Sequence, residues 1–277
     1  MKILTIFFIL IFLSGNEFLF TQDELNNQFQ KAEKLFKEEK YFDAITEFKR
    51  VIFFDSENKY DYESYYKIAL SYRAGNKLSE AIRYFSLAEQ SAQTRDEILN
   101  AKFEIIKLNI LRRTTSSALN LLDKIEYEFP EKQNDVVNWR GWAFIFQDDW
   151  ESAANEFNKI DSLKWIADFC KNIENSKYSV RFAKIISYFL PGAGQFYSGN
   201  YLSGFLSLGW TGLWTYLTVN SFVEKRIFDS VMIGNFLWLR FYNGNIQNAE
   251  KFAIAENQKI SNNALEYLQN NFKGKKP

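Results

Sequence analysis

The sequence offers few side chains that carry out catalysis. It contains no histidine, which removes histidine general bases, nucleophile systems that depend on histidine, and histidine metal sites. Its one cysteine, Cys170, lies in an apolar-periodic stretch and is predicted to be a small buried hydrophobe rather than a reactive thiol. A single cysteine also excludes an intrachain disulfide and a thiolate zinc cluster.

Carboxylates are the remaining candidates for acid–base catalysis. The adjacent pairs Glu38–Glu39 and Asp148–Asp149 would point apart on a helix, and both occur where turns between helices are predicted. The glycines of residues 192–199 do not form a nucleotide motif, because Tyr197 replaces the third glycine of a dinucleotide fingerprint and Asn200 replaces the lysine of a P-loop. We therefore expect neither enzymatic activity nor a cofactor.

Composition and charge indicate a folded helical protein. Apolar residues make up 47% of the chain and only three prolines occur. The 34 basic and 34 acidic side chains cancel, so the sequence has no electrostatic footprint for nucleic acid.

The N-terminus resembles an export signal. Lys2 precedes an apolar run over residues 3–13, which is shorter than the roughly 20 residues that span a bilayer. Residues 1–21 are therefore predicted to be a signal peptide. No cleavage site is well marked, so an uncleaved signal anchor remains the alternative.

A repeat follows the signal. Ala44, Ala81, Ala118 and Ala153 lie 37, 37 and 35 residues apart, and each is followed four residues later by a large apolar side chain. Twelve residues before each alanine stands a small or apolar residue, which allows two antiparallel helices to cross closely. One such unit leaves an apolar face open, so the units must stack.

This pattern resembles the tetratricopeptide repeat, which implies an all-α solenoid over residues 22–178, with a capping helix at 162–178. In that family the first helix of each unit lines a groove that binds a protein or peptide ligand. The implied groove residues are Phe29, Glu33, Phe36, Tyr66, Arg73, Phe103, Lys107, Asn138 and Trp142. The aromatic ones either form ligand platforms or fill a tight superhelix, whereas Arg73, Lys107 and Trp142 favour ligand contact.

The C-terminal third predicts a hydrophobic hairpin. Residues 199–223 contain no charge, Glu224–Lys225–Arg226 forms a charged turn, and a second apolar stretch covers residues 227–242. Residues 199–223 are long enough to span a bilayer as a helix. Residues 182–190 precede this stretch and are predicted to be an interfacial or re-entrant segment. The alternative is a soluble hairpin buried against a partner or a second copy.

A glycine-rich string opens this region and is similar to the turn of small bacterial membrane domains, including the two-transmembrane-helix family. The matching residues are Pro191, Gly192, Gly194, Gln195, Tyr197 and Gly199. The resemblance implies a membrane hairpin module over residues 179–245. Residues 246–277 are predicted to form an amphipathic helix with a basic tail.

Together these features predict an exported scaffold in the bacterial inner membrane, with its repeats facing the periplasm. Its expected partners are a protein or peptide ligand and the lipid bilayer, with a homo-oligomer as a further option. Two alternatives remain. The chain acts as an envelope assembly or membrane-protein insertion factor, in which Gln195, Asn235 and Arg240 matter, or it is a soluble oligomeric repeat protein.

Overall fold

The computed structural model describes residues 22–277, so the predicted signal at 1–21 lies outside the described residues. The described part of the chain is all-α, with no strand. It forms two compact units that meet in sequence between Gln147 and Asp148.

The first unit is a run of consecutive antiparallel helices, each packed on the next. The two helices of a pair cover part of each other's apolar surface, and the next pair covers the remainder. A single pair would therefore leave apolar surface open to water. The helices are α1 (Gln22–Lys37), α2 (Tyr41–Phe54), α3 (Asp61–Ala74), α4 (Leu78–Ser91), α5 (Arg95–Leu111), α6 (Thr115–Glu128) and α7 (Gln133–Phe146).

The repeat positions form the core. All four periodic alanines are 0% exposed, and so are the large apolar residues that follow them, Phe48, Phe85, Leu122 and Phe157. Close approach of the helices leaves no room at the alanines for a larger side chain. The consecutive helices are compatible with a tetratricopeptide-like repeat, and the all-α prediction is confirmed for the described residues.

The turn between the two helices of each repeat has a left-handed residue. Glu39, Asn76, Arg113 and Asp148 have positive φ and lie 37, 37 and 35 residues apart, the same intervals as the alanines. After the first three, the following backbone N–H donates to a carbonyl five residues earlier, as in Lys40 to Leu35 at 3.0 Å. This bonding closes the helix C-terminus and reverses the chain.

The second unit begins with α8 (Trp150–Phe157) and α9 (Lys164–Ser176), which pack on each other. The short helices α10 (Val180–Phe189) and α11 (Ala193–Tyr197) lead into α12 (Tyr201–Val223). A turn at Lys225, again left-handed, leads to α13 (Ile227–Met232). A π-helical segment (Ile233–Trp238) then continues into α14 (Leu239–Asn271).

The long helix α14 integrates the second unit. It packs on α9, α10, α11 and α12. The carboxylate of Asp148 accepts hydrogen bonds from Ser261 of α14 at 2.5 Å, from Trp150 of α8 at 2.8 Å and from Lys177 at 3.1 Å. Because α14 returns to α8 and α9, these two helices belong to the second compact unit.

The prediction of a membrane-spanning hairpin is not supported. Within residues 22–277, no helix combines the length and the apolar character needed to cross a bilayer. Helix α12 is uncharged and 23 residues long, but its glycine, serine, threonine and asparagine residues dilute its hydropathy. The returning stretch is broken by the π-helical segment and becomes polar from Asn243 onwards.

Candidate functional site

A recess of about 480 Å³ opens on the first unit, along the first helices of successive repeats. Three of the predicted groove residues, Phe29, Glu33 and Tyr66, line it, together with Lys37 and Lys67, which the sequence did not single out. The spacing of the repeats brings α1 and α3 side by side, because α2 packs against both. The recess therefore brings together three of the nine predicted groove residues.

Charges of both signs meet in this recess. The Glu33 carboxylate lies 3.0 Å from the Lys67 ammonium and 3.9 Å from that of Lys37. Lys67 also lies 4.8 Å from the centre of the Phe36 ring, a cation–π contact. Burial raises the pKa of the Tyr66 phenol to about 12, so it stays a neutral hydrogen-bonding group. The recess thus combines ammonium, carboxylate, phenol and aromatic groups.

A second cluster brings two predicted groove residues together on a carboxylate that the sequence did not identify. Arg73 of α3 and Lys107 of α5 both pair with Glu104, Lys107 at 2.6 Å. Lys107 also lies 5.2 Å from the ring of Trp139 on α7. Glu104 stands three residues before Lys107, a spacing that places both on one helix face and could have revealed the pair.

The remaining predicted groove residues are less available to a ligand. Trp142, expected to be exposed, is 1% exposed and belongs to the core, and Asn138 is 7% exposed. Phe29 lines the recess but is itself 6% exposed, stacked on Tyr60 and edge-on to Phe48. Phe103 is half-buried. For Phe29 and Trp142, filling of the superhelix therefore explains the side chain.

The turn motif of the second unit is a packed junction. Gly192, the left-handed residue before α11, lies so close to α12 that a Cβ would collide with the carbonyl oxygen of Gly204. A Cβ at Gly194 would collide with Ala183, Ser187 and Ala249, which belong to α10 and α14. These glycines are required for close approach of the backbones.

Two buried amides hold this junction. Gln195 is 0% exposed, and its Nε2 donates to Oδ1 of Asn245 at 2.9 Å and to Oγ of Ser207 at 3.1 Å. Asn245 also accepts from the backbone N–H of Gly192 at 2.7 Å and donates to the Ser187 carbonyl at 3.2 Å. The network ties α10, α11, α12 and α14 together.

The outer residues of the motif complete the junction. The phenol oxygen of Tyr197 accepts from the backbone N–H of Ser179 at 3.1 Å, and its ring packs edge-on to Tyr178 and Phe182. Gly199 has positive φ and ends α11, and Pro191 is half-buried before it. The predicted motif is thus a structural hub, and its partner Asn245 was not recognised from the sequence.

The lone thiol is buried, as predicted. Cys170 is 0% exposed, and burial raises its pKa to about 12. A thiol in this state is not a nucleophile at neutral pH.

The second unit exposes many large apolar side chains, here called the apolar surface. On α12, Leu202 is 76%, Phe205 65% and Phe222 63% exposed. Its other members on α10, α12 and α13 include Phe182, Ile185, Tyr188, Phe189, Leu190, Tyr201, Leu206, Trp210, Leu213, Tyr216, Val219, Val223, Ile227, Phe228 and Val231. Exposed apolar patches of this extent mark contact with a protein or a membrane.

Comparison with known proteins gives no relative: no family model, no curated protein and no solved structure matches the chain.

Proposed function

We propose that this protein is a non-enzymatic scaffold of the bacterial cell envelope. It is attached to the membrane through the apolar surface of its second unit and holds a protein or peptide in the recess of its first. The observation that carries the proposal is the apolar surface itself. Its members are exposed on most sides of α12, so packing within the described residues does not account for them.

A lipid environment suits this surface better than water does. Each large apolar side chain left in water forgoes about 1.5–3 kcal/mol of burial free energy. Trp and Tyr residues, which favour the boundary between lipid and water, occur along α12, and the charges of the hairpin concentrate at the turn Glu224–Lys225–Arg226. The same physics favours a partial insertion that contacts the acyl chains without crossing the bilayer.

The recess supports the scaffold part of the proposal. Glu33 and Lys67 are half-buried, so a ligand that pairs with either group meets it partly shielded from water. Tyr62 and Tyr66 add aromatic walls with hydroxyl groups. A short peptide carrying a basic and an acidic side chain fits this chemistry. The predicted export signal favours a periplasmic position for the repeats.

The test is membrane attachment with a matched pair of variants. The full-length protein is expressed in bacteria, membranes are extracted at alkaline pH, and the pellet is compared for two double variants. Leu202→Gln with Phe205→Gln removes apolar side chains from the apolar surface. Phe42→Gln with Phe53→Gln removes apolar side chains that are more exposed still, 83% and 81%, from the first unit.

We expect the wild type and the Phe42/Phe53 variant to pellet, and the Leu202/Phe205 variant to move into the supernatant. If the wild type is found in the supernatant as a defined oligomer, the apolar surface is an interface between copies of the chain. That outcome would overturn the membrane proposal.

A further inference from the structure

A cavity of about 380 Å³ lies beside the buried amide network of the second unit. Helix α12 contributes Ser203, Ser207 and the apolar side chains Leu206 and Trp210, and α14 contributes Arg240, Asn245 and Asn248. The volume falls within the range of small-molecule sites. One side of the cavity is therefore polar, and the other continues into the apolar surface.

The arginine of this cavity has no internal counter-charge. Arg240 is exposed and makes neither a hydrogen bond nor an ion pair with another residue of the range 22–277. No acidic residue lines the cavity, and α12 carries no charged side chain. Glu250, further along α14, is paired with Lys184 at 2.8 Å. The cavity therefore has a net positive charge.

Hydrogen bonds to neighbouring helices hold Asn245, one of the polar residues that line the cavity. Asn245 is 2% exposed and fixed by its bonds to Gly192, Gln195 and Ser187. Ser207 accepts a hydrogen bond from Gln195, which leaves its own O–H available to donate towards a ligand. A hydroxyl donor beside a positive charge favours an oxyanion, because the hydroxyl and the guanidinium can both donate to its oxygen atoms.

We propose that this cavity binds the phosphate of an anionic phospholipid. Arg240 pairs with the phosphate oxygens, since a guanidinium matches a phosphate with two parallel hydrogen bonds, and the serine hydroxyls supply further donors. The acyl chains follow the exposed side chains of Leu202 and Leu206 on the same helix. This inference rests on the proposed membrane attachment and adds the class of lipid that the attachment selects.

The test measures lipid binding to the full-length protein in detergent micelles. The probes are short-chain phosphatidylglycerol, short-chain phosphatidylcholine and inorganic phosphate, each titrated by calorimetry. We expect phosphatidylglycerol to bind more tightly than the other two. Arg240→Gln should weaken its binding by at least about tenfold, because charge-assisted hydrogen bonds are lost. Lys225→Gln, which removes one positive charge from the hairpin turn, should leave it unchanged.

Each alternative result has a defined meaning. Equal binding of phosphatidylcholine, or no difference between the Arg240→Gln and Lys225→Gln variants, overturns the inference. Inorganic phosphate that binds as tightly as phosphatidylglycerol shows a free-anion site and overturns the lipid assignment. If Arg240→Gln loses helical circular dichroism, Ser203→Ala replaces it, with a weakening of a few-fold expected and an unchanged affinity contradicting the inference.

Flotation with vesicles separates this inference from the proposed function. Flotation of the wild type on pure phosphatidylcholine vesicles, without added retention by phosphatidylglycerol, supports membrane attachment and overturns the lipid site. Phosphatidylglycerol binding in micelles without flotation on any vesicle supports the site and overturns the attachment.

Discussion

Gln195 donates a hydrogen bond of 2.9 Å to Asn245, and both side chains are buried although they are 50 residues apart in sequence. The bond joins α11, which precedes the hairpin, to α14, which follows it. Hydrogen bonds satisfy the Nε2 group of Gln195 and the Oδ1 atom of Asn245, and a buried donor or acceptor that loses its partner costs about 1–3 kcal/mol. The two amides therefore fix where the hairpin leaves and rejoins the second unit.

Replacement of Asn245 by alanine should strongly destabilise the second unit. The change removes the acceptor of Gly192 and Gln195 and the donor to Ser187, all buried, and should lower the free energy of unfolding by about 3 kcal/mol. Denaturant unfolding in detergent measures it. Asn243→Ala, at an exposed position two residues earlier, should change stability by less than about 0.5 kcal/mol. Equal effects of the two variants would contradict the role of the network.

Gly194→Ala should destabilise the second unit. Its Cβ would collide with α10 and α14, and overpacking of this kind typically costs about 1–3 kcal/mol. Gly209→Ala is the matched control, since no atom lies within 4 Å of the added Cβ. Thermal unfolding followed by circular dichroism should show a lower Tm for Gly194→Ala only. A similar Tm for both variants would mean that α10 and α14 do not approach Gly194 closely.

The left-handed turns of the repeats predict a stabilising substitution. Glu39 has φ of 59°, a conformation that costs an L-residue about 1–2 kcal/mol but is open to glycine. After the flexibility of glycine in the unfolded chain is counted, Glu39→Gly should stabilise the first unit by about 0.5–1 kcal/mol. Asn76→Gly should gain less, because asparagine tolerates this conformation. Thermal unfolding of both variants measures the two changes in Tm. A larger increase for Asn76→Gly than for Glu39→Gly would contradict the prediction.

Asp148 should make the second unit sensitive to acid. Burial opposes the charged form, but hydrogen bonds from Ser261, Trp150 and Lys177 prevail and hold the pKa of this carboxyl below its usual value. A lowered folded-state pKa contributes stability above the unfolded pKa of about 3.9, and this contribution is lost as the pH falls through the folded value. The advantage of the wild type over Asp148→Asn should therefore be full at neutral pH and shrink below about pH 4.

Unfolding curves between pH 7 and pH 3 measure this difference. Glu266→Gln, at an exposed position of α14, serves as the control and should show no comparable loss. An advantage of Asp148 that stays constant down to pH 3 would show that its hydrogen bonds do not depend on its charge.

Local periodicity was enough to predict the repeated helical pattern. Alanines at intervals of 37, 37 and 35 residues, each followed by a large apolar residue, report contacts between helices that are adjacent along the chain, and burial at 0% exposure confirms them. The inter-helix turns follow the same intervals. The burial of Cys170 and the all-α class were predicted correctly for the same reason, since apolar periodicity records which face of a helix is covered.

Contacts between segments that are distant in sequence could not be predicted and are seen in the fold alone. The partnership of Gln195 with Asn245 spans 50 residues, and that of Asp148 with Ser261 spans 113. Neither has a periodic signal, because a single amide or hydroxyl looks the same in sequence whether it is solvated or buried against a partner. The burial of Trp142 in the core and the place of α8 in the second unit also depend on contacts that have no periodic signal in the sequence. Periodicity specifies the covered face of each helix, and the tertiary fold alone selects what covers it.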